Sequence, residues 1–193
     1  TKQFFLSHAA KAGVMHIATH AAAGGNGQED AWISFYPSNP DSLIGYRLFL
    51  DEVYPLKLDH TELVILSACE TALGNLSVGE GLLSLSRAFL YAGAKGVVAS
   101  LWRSEDRVTA YLIRRMRLEL EKGKPVEAAL QEARMSLLND ASIPPSLKSP
   151  NYWSHLIYIG GTTTARDIVL WPWVLGAAIL LALVFFFRRS FTR

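Results

Sequence analysis

Up to Gly161 the apolar positions of the chain fall into two kinds of run, one short and continuous, the other long and spaced three or four apart. The short runs are GVMHIATH, ending at His20, LVILSAC, ending at Cys69, KGVVASLW, ending at Trp102, and WSHLIYIG, ending at Gly160. These predict strands. The second and third show no alternation, as expected of strands buried on both faces of a parallel sheet. AWISFYP, ending at Pro37, reads as a fifth and more exposed strand.

The long runs predict helices. GEGLLSLSRAFLYAG carries Leu82, Leu85, Phe89 and Leu90 at helical spacing and stops at Gly93. SEDRVTAYLIRRMRLELEKG opens at the capping candidate Ser104, places Val108, Leu112, Met116 and Leu120 on one stripe and closes at Gly123. KPVEAALQEARMSLLND starts with Pro125 in a first-turn position and puts Val126, Leu130, Ala133 and Leu137 on one face. TKQFFLSHAAKAG reads as the middle of a helical segment, so the chain is expected to be the C-terminal part of something longer. Strands alternating with helices of this length make an α/β domain whose mostly parallel sheet is flanked by helices. DASIPPSLKSPNYW is a Pro- and Ser-rich surface connection into the last strand.

One stretch fits neither pattern. Residues 168–187, IVLWPWVLGAAILLALVFFF, carry no charge, and a helix of that length at about 1.5 Å per residue would span a bilayer core. Trp171 and Trp173 near one end and RRSFTR at the other resemble interfacial anchors. The expected organisation is therefore a domain over 1–161, a polar linker at 162–167, a single transmembrane helix at 168–187 in contact with lipid, and a basic tail at 188–193. Arg188, Arg189 and Arg193 outnumber Arg166, which by the positive-inside rule sets the tail in the cytoplasm and the domain outside. Insertion as a tail anchor would set the domain in the cytosol instead.

Composition narrows the chemistry. Lys and Arg number 19 against 17 Asp and Glu, a formal charge of +2, with no basic block interleaved with aromatics, so nucleic acid is not the expected partner. The single cysteine rules out an internal disulfide and any multi-thiolate metal site. No P-loop, no G-x-S-x-G elbow and no metal-ligand spacing occurs, and neither metal nor cofactor is expected. His16 and His20, four residues apart on a strand, would stand about 13 Å apart, too far to share an ion.

In open α/β sheets ligands bind beyond the carboxyl ends of the strands. The first strand ends at His20, the second at Cys69, and the third runs out toward Asp106, so parallel strands would gather all three at one edge. A thiol of pKa about 8.5 becomes a nucleophile when an imidazole stands beside it, and Cys69 follows His20 by 49 positions, the order and approximate spacing of caspase-type peptidases. The competing reading of Cys69 is a small buried hydrophobe. His16, two steps deeper, reads as a satisfied core histidine, and GNLSVGEG as a mobile loop beside Cys69.

HIATH, LVILSACETALG, GEGLLSLSRAFLYAGAKGVVASLWRSEDRVTA and YWSHLIYIGG resemble, in order and spacing, the CHAT domain, a caspase-like cysteine-peptidase family related to separase and often found downstream of tetratricopeptide repeats. The resemblance covers about residues 1–161. It implies a caspase-like fold with His20 as general base, Cys69 as nucleophile, and the backbone N–H groups of Ala21 and Cys69 as the oxyanion site. The family usually has glycine where Ala21 stands, a departure that leaves room for a weakened or regulatory module. LWRSEDRVT resembles the segment whose aspartate receives a basic P1 side chain, and the matching position is Asp106; Glu70 is a second candidate for that pocket. The competing reading of Asp106 is an acid in a helix first turn. The expected function is a membrane-anchored cysteine endopeptidase cleaving a protein substrate after a basic residue, regulated by an upstream tetratricopeptide module. The alternatives are a non-catalytic, membrane-tethered interaction module and a small-molecule hydrolase.

Overall fold

A computed structural model describes residues 1–22, 31–37, 45–67, 69–70, 80–102 and 104–161. All lie in the first of two units, Thr1–Thr163; the linker, the apolar stretch at 168–187 and the basic tail lie outside the described residues, as does most of GNLSVGEG. Among the described residues no helix is long and apolar enough to cross a membrane.

Each of the first two apolar runs folds as a pair of short strands. GVMHIATH gives β1 (Val14–Ile17) and, after Ala18 and Thr19, β2 (His20–Ala22); LVILSAC gives β5 (Leu63–Leu66) and then β6 (Cys69–Glu70). Between them in the chain lie β3 (Trp32–Ser34) and β4 (Arg47–Phe49), with the short helix α2 (Leu50–Val53). The main sheet has the order β1-β5-β7-β8, where β7 is Gly96–Ser100 and β8 is Leu156–Gly160; the second has the order β4-β3-β2-β6. β1, β5 and β7 are parallel, whereas β8 runs antiparallel to β7 at the edge. The parallel expectation holds for three of the four strands.

The doubly apolar strands bury both faces. Val64 and Leu66 of β5 join Val97 and Ala99 of β7 in one core, completed by Leu85, Ala88 and Phe89 of helix α3 (Glu80–Tyr91). Leu63, Ile65 and Val98 point into the other, beneath α4 (Asp106–Glu121) and α5 (Val126–Asn139). Of the expected stripe on α4, Val108, Leu112 and Met116 are buried, and Leu120 is partly buried against the same core. The expected stripe on α5, Val126, Leu130, Ala133 and Leu137, is buried. Truncating any one of the larger of these would cost about 2–5 kcal/mol. Gly93 (φ 111°) and Gly123 (φ 83°) end α3 and α4 in the left-handed conformation that glycine adopts freely.

The N-terminal segment forms α1 (Lys2–His8), with the Thr1 side chain accepting the Phe4 N–H, and continues into a 3₁₀ turn at Ala9–Lys11. The Pro- and Ser-rich connection contains a 3₁₀ turn at Pro145–Lys148 and the short helix α6 (Pro150–Trp153). In the second sheet Ile33 and Leu48 are fully buried, and the Arg47 guanidinium stacks over the Trp32 ring at 4.3 Å. That sheet holds four of the candidate residues, His20 and Ala21 on β2 and Cys69 and Glu70 on β6.

Candidate functional site

β1 and β5 run side by side, with Ile17 opposite Leu66 as their last registered pair. Both chains then pass into the second sheet, where β2 and β6 pair parallel with His20 opposite Cys69 and Ala21 opposite Glu70. Neighbouring strands lie about 4.8 Å apart, so the two residues expected to work together are backbone neighbours. His20 is exposed, while Ala21 is buried and pairs on its other side with Ile33. The Cys69 and Glu70 side chains lie outside the described residues. Thr19 anchors the crossing by donating its hydroxyl to the Ser34 carbonyl at 2.8 Å.

Asp106 is the first residue of α4 and is exposed. The cap of that helix is Glu105, whose Oε2 accepts the Val108 N–H at 2.8 Å; Ser104, the expected cap, instead donates its hydroxyl to the Tyr152 carbonyl at 2.9 Å. Trp102 Nε1 donates to the Asn151 carbonyl at 2.9 Å, and the Leu101 N–H to the His155 carbonyl at 2.8 Å. The turn that leads from β7 to Asp106 is thus fastened to the segment around α6.

The helices over the second core reach β5, β7 and β8 but leave that face of β1 open. Val14 is 56% exposed, and His16, expected in the core, is exposed as well. The result is a groove of about 430 Å³ between β1 and α4, in which His16, Ala18 and Ser67 face Asp106, Ile113 and Arg117. Asp106 therefore sits both in a helix first turn and at the groove, and its two readings are compatible. His16 Nε2 lies 2.8 Å from Ser67 Oγ. Desolvation holds the His16 imidazole below its ordinary pKa, and the Arg117 guanidinium pushes the same way.

His155, without a companion in the sequence, is fully buried at the head of β8, with Nε2 3.1 Å from Thr109 Oγ1. Burial lowers its pKa to about 4; Arg134 adds to this, and the Tyr152 carbonyl opposes it without forming a well-aligned bond to Nδ1. Neither Ser67 nor His155 stood out in the sequence. The available signal was modest: each is a polar residue at the border of an apolar run.

A parallel pair that sets an imidazole-bearing residue beside a cysteine, with a groove opening two residues upstream, is an arrangement suited to thiol chemistry on a carbonyl. The family model of the CHAT domain matches residues 1–161. A search of curated proteins finds no match.

Proposed function

Since the chain belongs to the CHAT domain family, a family related to caspase-like cysteine peptidases, we propose that it is a cysteine endopeptidase working through His20 and Cys69. The observation that supports this most directly is the register that pairs these two residues on adjacent parallel strands. In this reading His20 takes the thiol proton and the Cys69 sulfur attacks the scissile carbonyl. The tetrahedral oxyanion is held by the backbone N–H groups of Ala21 and Cys69. Collapse breaks the C–N bond, His20 returns the proton to the leaving amine, and water, deprotonated by His20, hydrolyses the acyl-enzyme.

Asp106 at the groove is proposed to receive a basic side chain at P1, since a carboxylate pairs bidentately with a guanidinium; Glu70, opposite Ala21 in register, is the second candidate. Residues 168–187 are proposed as a membrane anchor on their length and lack of charge, and an upstream tetratricopeptide module as the regulator. A non-catalytic interaction module is the second reading, and the alanine at position 21 favours it.

The test incubates the full chain with a peptide library, beside Cys69→Ala, His20→Ala and Asp106→Ala. Cleavage after Arg or Lys that requires Cys69 and His20, and that loses its basic preference without Asp106, is the expected result. No cleavage, together with a Cys69 inert to an alkylating probe between pH 6 and 9, rejects the peptidase in favour of the binding module.

A further inference from the structure

We propose that His16 and Ser67 are positioning residues, whose hydrogen bond at the crossing between the two sheets keeps His20 in register with Cys69. Its functional consequence rests on the peptidase reading above.

The crossing is where the register can be lost. Ile17 pairs with Leu66 below it and His20 with Cys69 above it, and two residues on each strand separate these pairs. The count is equal, so the register carries through only while neither strand slips. A slip by one position would set Glu70 beside His20 and exchange the faces of every residue beyond it. β2 and β6 are too short to prevent this alone, having three and two residues.

Ser67 is held twice against the other strand, through its N–H on the Ile17 carbonyl at 3.1 Å and through Oγ, 2.8 Å from His16 Nε2. The far end of the same ladder has a matching fastening, where Thr61 Oγ1 donates to the Ala12 carbonyl at 2.8 Å. His16 reaches Ser67 because α4 leaves this face of β1 open. In the groove desolvation, and after it the Arg117 guanidinium, favours the neutral ring, which keeps one nitrogen as an acceptor. The pair lines the same groove as Asp106, and its proposed effect on the dyad runs through the backbone, two residues before Cys69 and four before His20.

The experiment uses the full chain with Ser67→Ala, His16→Ala, the double variant, and Ser67→Thr, which keeps the hydroxyl. Two readouts are taken: amide hydrogen exchange of residues 20–22 and 69–70, with β7 as internal reference, and the pH profile of Cys69 alkylation by iodoacetamide. Ser67→Ala is expected to speed exchange at β2 and β6 about tenfold while β7 stays unchanged, as for the loss of one hydrogen bond. The double variant should add nothing to either single change, and Ser67→Thr should restore the wild-type rate. Alkylation near pH 6.5 is expected to fall about tenfold in Ser67→Ala, its midpoint moving toward the ordinary thiol value of about 8.5. Exchange in Ser67→Ala that matches wild type, or additive effects of the two changes, overturns the proposal. Faster exchange with an ordinary Cys69 profile in wild type and variant alike upholds the positioning pair and sinks the peptidase reading instead.

Discussion

His155 makes stability depend on acid in a way that can be worked through. The residue is fully buried, and its pKa lies at about 4 against 6.5 for a free imidazole. The folded protein therefore binds fewer protons than the unfolded chain between these values. The stabilising contribution is complete above about pH 6.5 and is lost as pH falls toward 4. At 1.36 kcal/mol per decade, the loss between pH 7.5 and pH 4 comes to about 3 kcal/mol. His155→Phe removes the titration and keeps a ring of similar size. Thr109 is not stranded, because its hydroxyl still donates to the Glu105 carbonyl at 3.1 Å. Urea unfolding of both proteins at pH 7.5 and pH 4 measures the difference, and contributions from other histidines cancel. Whatever the variant costs at pH 7.5, its stability relative to wild type should rise by about 3 kcal/mol at pH 4, a midpoint change of about 1–1.5 M. A relative stability that stays the same at both pH values would refute the argument.

Three further outcomes follow from particular contacts. Gly160→Ala should cost about 1–3 kcal/mol in thermal unfolding, because a Cβ there meets Tyr158 Oη at 2.6 Å and Gly96 Cα at 2.8 Å; Gly161→Ala, with nothing within 4 Å, is the silent control. Glu105→Ala removes the α4 cap and should lower stability by about 1 kcal/mol at neutral pH, with no effect expected from Ser104→Ala on the helix N–H groups. Ala21→Gly should raise kcat severalfold on the proposed peptide substrate while lowering the melting temperature, since glycine weakens a strand interior; a lower kcat would reject the oxyanion role given to the Ala21 backbone.

The helices were the most legible part of the fold. Their stripes are set by one period, and Gly93 and Gly123 stop two of them by a backbone conformation that the residue type itself announces. β5 and β7 were legible because burial on both faces leaves no polar position. The crossing at Ala18–Thr19 and at Ser67 was not, since apolar spacing records which face is covered and says nothing of which strand is the hydrogen-bonded neighbour. For the same reason the antiparallel direction of β8 could not be read from its sequence. β4 and α2 are too short to build a period. The exposure of His16 depends on how far α4 and α5 extend over the sheet, a matter of tertiary layering alone. The gathering of His20 and Cys69 at one edge was legible from parallel strands ending together, whereas their direct register was not.

The dyad positions come from strands far apart in the chain, and this bears on when the site can exist. Joining β2 to β6 closes a loop of about fifty residues, an entropic cost of about 3–4 kcal/mol by the logarithmic law, and two short strands cannot recover that by themselves. The closure is supported by β5, which lies between β1 and β7. The second flank of β5 is covered only once α3 has carried the chain back to lay β7 alongside. A chain leaving the ribosome would hold base and thiol apart until β7 has emerged. In the proposed enzyme the order of synthesis is itself a delay, and the nucleophile has no base beside it while the surrounding polypeptide is still unfolded and easy to cut.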